Sequence, residues 1–344
     1  MNNKLPNIVF IVGMGRSGTT LLTNMLNSHP NIVACPENEF IIFLQHNFKS
    51  KDFSKSEVVE SFLEIFNLEY NRVLSFWKPD LNALKKDIEN LENKSFANVC
   101  KLVYLNYPFA EKTKIEVSCI VDKNPIHSVY LDEISSLFPN AKYIIISRDY
   151  KDNIVSRRTY SDKKSSIVKL AVSWNYFYQK IEKAIKLKKL TTVNLKYENL
   201  VSDTENELKK ICDFINVEYN NKMLDFQILS KKIKAHIQET ASKEKFDKIS
   251  SMHQNLEKKV SAERVGSYHS KLTKDEIDIL DYVCGNEASK LGYNFNSNEQ
   301  SIHFKNKVKF QFYHFYIPFY YSIERIVHKL PISLKKIMLK KKDK

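Results

Sequence analysis

The stretch N-I-V-F-I-V-G-M-G-R-S-G-T-T-L-L-T-N-M-L-N, Asn7 to Asn27, decides how the chain is read. Asn7 to Val12 is short and nearly all apolar, the pattern of a strand buried on both faces of a parallel sheet. Gly13, Gly15 and Gly18 follow, half of the six glycines in the chain. Thr19 to Asn27 then reads as a helix. Strand, glycine turn and helix make a cradle for an anion. Glycines let successive amides turn inward, and the helix start adds unsatisfied N–H groups and its dipole. Ser17, Thr19 and Thr20 bring hydroxyl donors and Arg16 a charged fork, more than a tight turn needs.

Further along, Ile115 to Val121 reads as a second strand ending at Asp122, Ala141 to Ser147 as a third with the run Tyr143-Ile144-Ile145-Ile146, and Leu190 to Leu195 as a fourth. Helices are expected over Ile126 to Leu137, from near Tyr150, over Val168 to Lys188, Asn206 to Ile215 and Lys274 to Leu291. Ser54 to Lys112 carries the apolar spacing of amphipathic helices. Ser230 to Glu263 is polar and lysine-rich and reads as a loop or a charged helix. Strands alternating with helices predict an α/β, three-layer, P-loop-like fold whose central, mostly parallel sheet is flanked by helices. The expected organisation is a domain over residues 1–295 with a helical insertion at 54–112, then a basic aromatic extension over 296–344.

Charge is distributed unevenly. The chain of 344 residues has 54 basic and 40 acidic residues, a net of +14. Lys305 to Lys344 holds 11 basic residues against two acidic, a net of +9, which leaves +5 for the remaining 304. That segment interleaves aromatics with bases, a pattern suited to an anionic membrane surface or to packing on the core, with nucleic acid less favoured. The five cysteines are scattered at no metal or dithiol spacing, and no metal is expected. The N-terminus runs into the glycine loop rather than a cleavage site, and no apolar run reaches the 18 residues of a membrane span. A cytoplasmic protein is expected, peripheral at the inner membrane face.

The loop shares its two outer glycines and the hydroxyl of Thr20 with G-x-x-x-x-G-K-[ST], but Thr19 replaces the lysine that reaches the β- and γ-phosphates. No acid follows a second strand closely enough for a dinucleotide fold. Gly13 to Leu22, followed by Ser28-His29-Pro30, resembles the 5'-phosphosulfate loop of the sulfotransferases that use 3'-phosphoadenosine 5'-phosphosulfate (PAPS), especially the bacterial and tyrosylprotein-type branches. Ser147-Arg148-Asp149 with Ser156 eight residues on is similar to that family's 3'-phosphate element, which commonly has proline where Tyr150 stands. Glu263-Arg264-Val265-Gly266-Ser267-Tyr268 resembles its closing C-terminal turn, often with tryptophan in place of Tyr268.

The resemblance implies a PAPS donor, adenosine 3',5'-bisphosphate (PAP) as product, and transfer of a sulfuryl group to an acceptor hydroxyl on a glycan or glycolipid. It assigns Arg16, Ser17, Gly18, Thr19 and Thr20 to the 5' end, and Arg148, Ser156, Arg264, Gly266 and Tyr268 to the 3' end. Glu37 becomes the general base with Glu39 as fallback, Lys123 meets charge at the bridging oxygen with Asp122 orienting it, and Arg16 assists the leaving phosphate. His29 reads as a packing residue and His127 as a weaker candidate base. The rival readings are a P-loop nucleotide kinase or other phosphotransferase, and a non-catalytic membrane or anion-binding module.

Overall fold

In the computed structural model, residues 5–73, 79–107, 117–160, 164–240, 243, 246–247, 250, 254–296 and 302–342 are described. Among the described residues five strands form one sheet in the order β2-β3-β1-β4-β5, every neighbouring pair parallel. They are β1 (Asn7–Val12), β2 (Ile32–Cys35), β3 (Cys119–Lys123), β4 (Lys142–Ser147) and β5 (Thr191–Lys196).

Alternate side chains feed two separate cores, which explains the unbroken apolar runs. Ile8, Phe10 and Val12 of β1 join Tyr143 and Ile145 of β4 on one face. Val9 and Ile11 join Ile144 and Ile146 on the other. The second face is covered by α1 (Thr19–Asn27), through Leu22, Met25 and Leu26, and by α10 (Thr204–Ile215), through Leu208, Ile211 and Ile215. The first face is covered by α2 (Phe40–Phe48), the insertion helices α3 (Ser56–Val73), α4 (Leu81–Glu89) and α5 (Phe96–Leu105), and by α8 (Ile167–Lys188) and α12 (Lys274–Lys290). All five cysteines are buried thiols.

Several expectations need correction. The edge strand β2 was not foreseen, so the helical insertion enters between β2 and β3. β3 runs on to Lys123, and its expected start at Ile115 lies outside the described residues, as does the insertion's end at Lys112. Ile126 to Leu137 is not one helix: a 3-10 turn, Pro125–Val129, precedes α6 (Leu131–Leu137), with Tyr130 between them at φ −121° and ψ 23°. The break accompanies a long-range contact, in which Ser128 Oγ accepts from Gly13 N–H at 2.9 Å and donates to its carbonyl at 3.2 Å. The lysine-rich Ser230 region begins inside a helix, α11 (Phe226–Thr240), while several residues between 241 and 253 lie outside the described set. Further helices among the described residues are α7 (Tyr150–Tyr160), α9 (Tyr197–Ser202), α13 (Phe304–His328) and α14 (Ile332–Lys342).

Candidate active site

Every strand delivers a residue to the C-terminal edge of the sheet, where ligands of open α/β folds bind. Gly13 follows β1, Glu37 follows β2, Lys123 ends β3, Arg148 follows β4 and Tyr197 follows β5. A cavity of about 830 Å3 opens there, lined among others by Arg16, Gly18, Thr19, Thr20, Glu37 and Lys123.

The glycine loop is fixed from beneath. Gly13 has φ +145°, and a Cβ on it would meet the Ile146 carbonyl oxygen at 2.1 Å; Gly18, at φ +92°, would meet the Tyr197 ring at 2.6 Å. Arg16 takes the left-handed conformation at φ 71°, a strained placement for a residue with a side chain. Asn153 of α7 donates to the Gly15 carbonyl at 2.9 Å and to Ser17 Oγ at 3.0 Å. Ser17 is therefore turned into the protein, fully buried, and its hydroxyl stands 3.4 Å from that of Tyr178.

Three guanidinium groups gather at the far end. Arg148 donates to the Arg264 carbonyl at 2.7 Å and to the Arg16 carbonyl at 3.4 Å, with its charge 4.5 Å above the Tyr197 ring. Its Nε is buried and bonds to nothing among the described residues. Arg16 Nε reaches Ser156 Oγ at 3.4 Å, and both Arg16 and Arg264 lie over the Tyr160 ring. Burial, then the facing charges of Arg264 and Arg148, lower the Arg16 pKa from its usual value. Cations so placed repel one another, and an anion between them relieves the repulsion.

The turn after Arg264 is held by Asp152, which accepts from Gly266 N–H at 2.8 Å, Ser267 Oγ at 2.9 Å and Tyr268 N–H at 2.9 Å. Gly266 and Tyr268 thus direct their amides into the protein and do not line the cavity, whereas Arg264 does. The sequence shows the Asp152 carboxylate only as part of a charged helix start, because its three partners lie more than a hundred residues away.

At the other end, Lys123 Nζ donates to Glu37 Oε1 at 2.6 Å and to Thr20 Oγ1 at 3.3 Å. Lys123 is 3% exposed and Glu37 55%. Behind them Asp122 accepts from the Tyr104 hydroxyl and lies 3.3 Å from His127 Nδ1. His127 is fully buried and does not line the cavity. His29 is a packing residue, with Nε2 2.7 Å from the Glu218 carbonyl. Glu39 borders the cavity at the start of α2.

A model of the sulfotransferase family matches residues 6–221. The chain belongs to the sulfotransferase family. Protein-tyrosine sulfotransferase A of Caenorhabditis elegans is 25% identical to it, over 86% of this chain and 70% of that protein. Protein-tyrosine sulfotransferase 1 of Danio rerio is 23% identical, over 86% of this chain and 75% of its own length. Among solved structures, the sulfotransferase domain of the Synechococcus PCC 7002 olefin synthase shares the fold at a TM-score of 0.54 and 19% identity, covering 86% of this chain and 98% of that domain. The protein is therefore an enzyme of sulfuryl transfer, and the kinase and non-catalytic readings are set aside.

Proposed function

We propose that this sulfotransferase takes its sulfuryl group from PAPS and passes it to a hydroxyl of a glycan or glycolipid. The observation that carries the chemistry is the Lys123–Glu37 pair at 2.6 Å, with the same ammonium 3.3 Å from Thr20 of the loop. One cation thus touches both the candidate base and the candidate phosphosulfate cradle. The orphaned Nε of Arg148 and the crowded guanidiniums fit a nucleotide with a second phosphate at its 3' end.

In this reading the loop amides and Thr20 hold the 5' end, while the guanidinium of Arg16, expected at the 5' end, stands with Arg148, Ser156 and Arg264 around the 3'-phosphate. Ser17, Gly266 and Tyr268 shape the two ends from behind. Glu37 takes the acceptor's hydroxyl proton as the new S–O bond forms. The S–O bond to the 5'-phosphate breaks, its electron pair stays on the phosphate oxygen, and Lys123 meets that charge. Glu37, more than half exposed, is open to an acceptor from solvent; Lys123, buried, faces the donor.

A tyrosine acceptor is the second reading, favoured by the names of the two relatives. Incubation with PAPS and separate pools of glycan, glycolipid and tyrosine peptide, followed by mass spectrometry of the products, tests both. Sulfated glycan or glycolipid supports the first reading; sulfation of the peptide alone overturns it in favour of the second.

A further inference from the structure

The outer face of α13 has a composition that the transfer site does not explain. Phe304, Val308, Phe312, Phe315, Tyr316, Phe319, Ile323 and Ile326 are all exposed, with Phe304 at 81% and Phe315 at 73%. Their spacings of three, four and one put them on one side of the helix, a stripe about 33 Å long at 1.5 Å per residue. Isolated exposed apolar residues are ordinary, but a continuous aromatic stripe is not. The opposite side packs inward: Ile317 is buried, and Tyr321 stacks on Tyr176 at 5.6 Å.

Among the described residues, the exposed charged side chains of α13 and α14 are all basic. Lys305 and Lys329 are exposed at its two ends, and α14 continues with exposed Leu334, Ile337, Met338 and Lys340. Among the described residues from 304 to 342 the only acid is Glu324, which is half-buried and accepts from the Tyr130 hydroxyl at 2.7 Å. Face-to-face pairing of two copies would set like charges against each other. An anionic lipid surface neutralises them and takes the aromatic rings at headgroup depth. No helix among the described residues is long and apolar enough to cross a membrane, which agrees with a helix lying along the interface.

We infer that the outer face of α13, with its flanking lysines, docks the enzyme on an anionic lipid bilayer. The inner face of the same helix presents Tyr321 to the cavity. That wall of the cavity therefore lies about one helix diameter, 10–12 Å, from the lipid surface. Resting on the acceptor reading above, that placement favours a lipid-linked glycan over a free one.

Sedimentation of the full-length protein with vesicles tests the docking. Phosphatidylcholine vesicles containing phosphatidylglycerol should pellet it about tenfold better than phosphatidylcholine alone. A Phe315→Ser/Phe319→Ser variant should lose about tenfold of that binding, while its thermal stabilisation by PAP stays at the native value, showing an intact fold and nucleotide site. Absence of binding to anionic vesicles, equal binding by the variant, or a fall from dimer to monomer in the variant's light-scattering mass would each overturn the inference, the last assigning the face to a second copy. Because vesicle binding is read without turnover, docking with no sulfation of glycolipid retains the surface and rejects only the acceptor reading.

Discussion

Lys123 Nζ and Glu37 Oε1 stand 2.6 Å apart, one buried at the end of β3 and the other exposed beyond β2. The neighbouring strands β2 and β3 are in parallel register, Cys35 beside Asp122, which sets the two side chains at one edge. The pair joins the acceptor side of the cavity to the donor loop.

Replacing Lys123 with alanine should lower turnover by about a hundredfold or more, the usual effect of removing a group that meets developing charge. PAP affinity should change only a few-fold, since the other contacts to the nucleotide remain. Steady-state rates at saturating donor, set beside PAP thermal shifts, separate the two; an unchanged rate contradicts the role given to Lys123.

Glu37→Gln keeps the shape of the side chain and removes the base. Turnover should fall by about 10²–10⁴, whereas Glu39→Gln should cost far less. Parallel kinetics of the two variants check this, and a larger loss in Glu39→Gln would transfer the role to that residue.

Asp152→Asn leaves one oxygen where a carboxylate now gathers three donors from residues 266–268. The turn carrying Arg264 should loosen and PAP binding weaken by about tenfold. Turnover at saturating donor should hold, because Asp152 touches none of the reacting atoms. Titration calorimetry with PAP, together with kcat, gives both readings.

Gly13→Ala and Gly15→Ala should behave oppositely. The first forces a Cβ to 2.1 Å from the Ile146 carbonyl oxygen at φ +145°, while the second finds its nearest neighbour at 4.0 Å. A loss of at least about 3 kcal/mol is expected for Gly13→Ala and little change in fold stability for Gly15→Ala. Urea denaturation of both variants measures the difference.

His328, in the last turn of α13, is pushed from 6.5 down to about 4 by burial, then by Lys335 and Arg325. Below pH 6.5 the unfolded chain takes up a proton that the folded ring refuses until about pH 4. Stability present at neutral pH is therefore lost progressively across that window. His328→Gln should flatten the acid limb of a denaturation-versus-pH curve, and an unchanged slope would contradict the assignment.

The centre of the fold was legible because its signals are local. The apolar run of β1, the glycines that follow and the Tyr143-Ile144-Ile145-Ile146 run each declare a buried strand or a turn within a few residues. β2 escaped because it has only four residues, bracketed by Pro30 and Pro36. The break at Tyr130 escaped because the contact that accompanies it, the Ser128–Gly13 hydrogen bonds, spans 115 residues. The loop and the three arginines could be picked out from spacing and resemblance together. The inward turn of Ser17, and of the amides at Gly266 and Tyr268, could not, since it depends on Asn153 and Asp152 arriving from another helix. The basic aromatic tail announced an amphipathic segment, but only its packing shows which side faces out.

The most direct measurement is titration calorimetry of the protein with PAP, ADP and magnesium-ATP, repeated on Arg148→Ala. PAP should bind tightest, and Arg148→Ala should lose most of that preference while still binding ADP. Binding of ATP without binding of PAP, or an undiminished preference for PAP in Arg148→Ala, would contradict a cavity built to hold phosphates at both ends of the nucleotide.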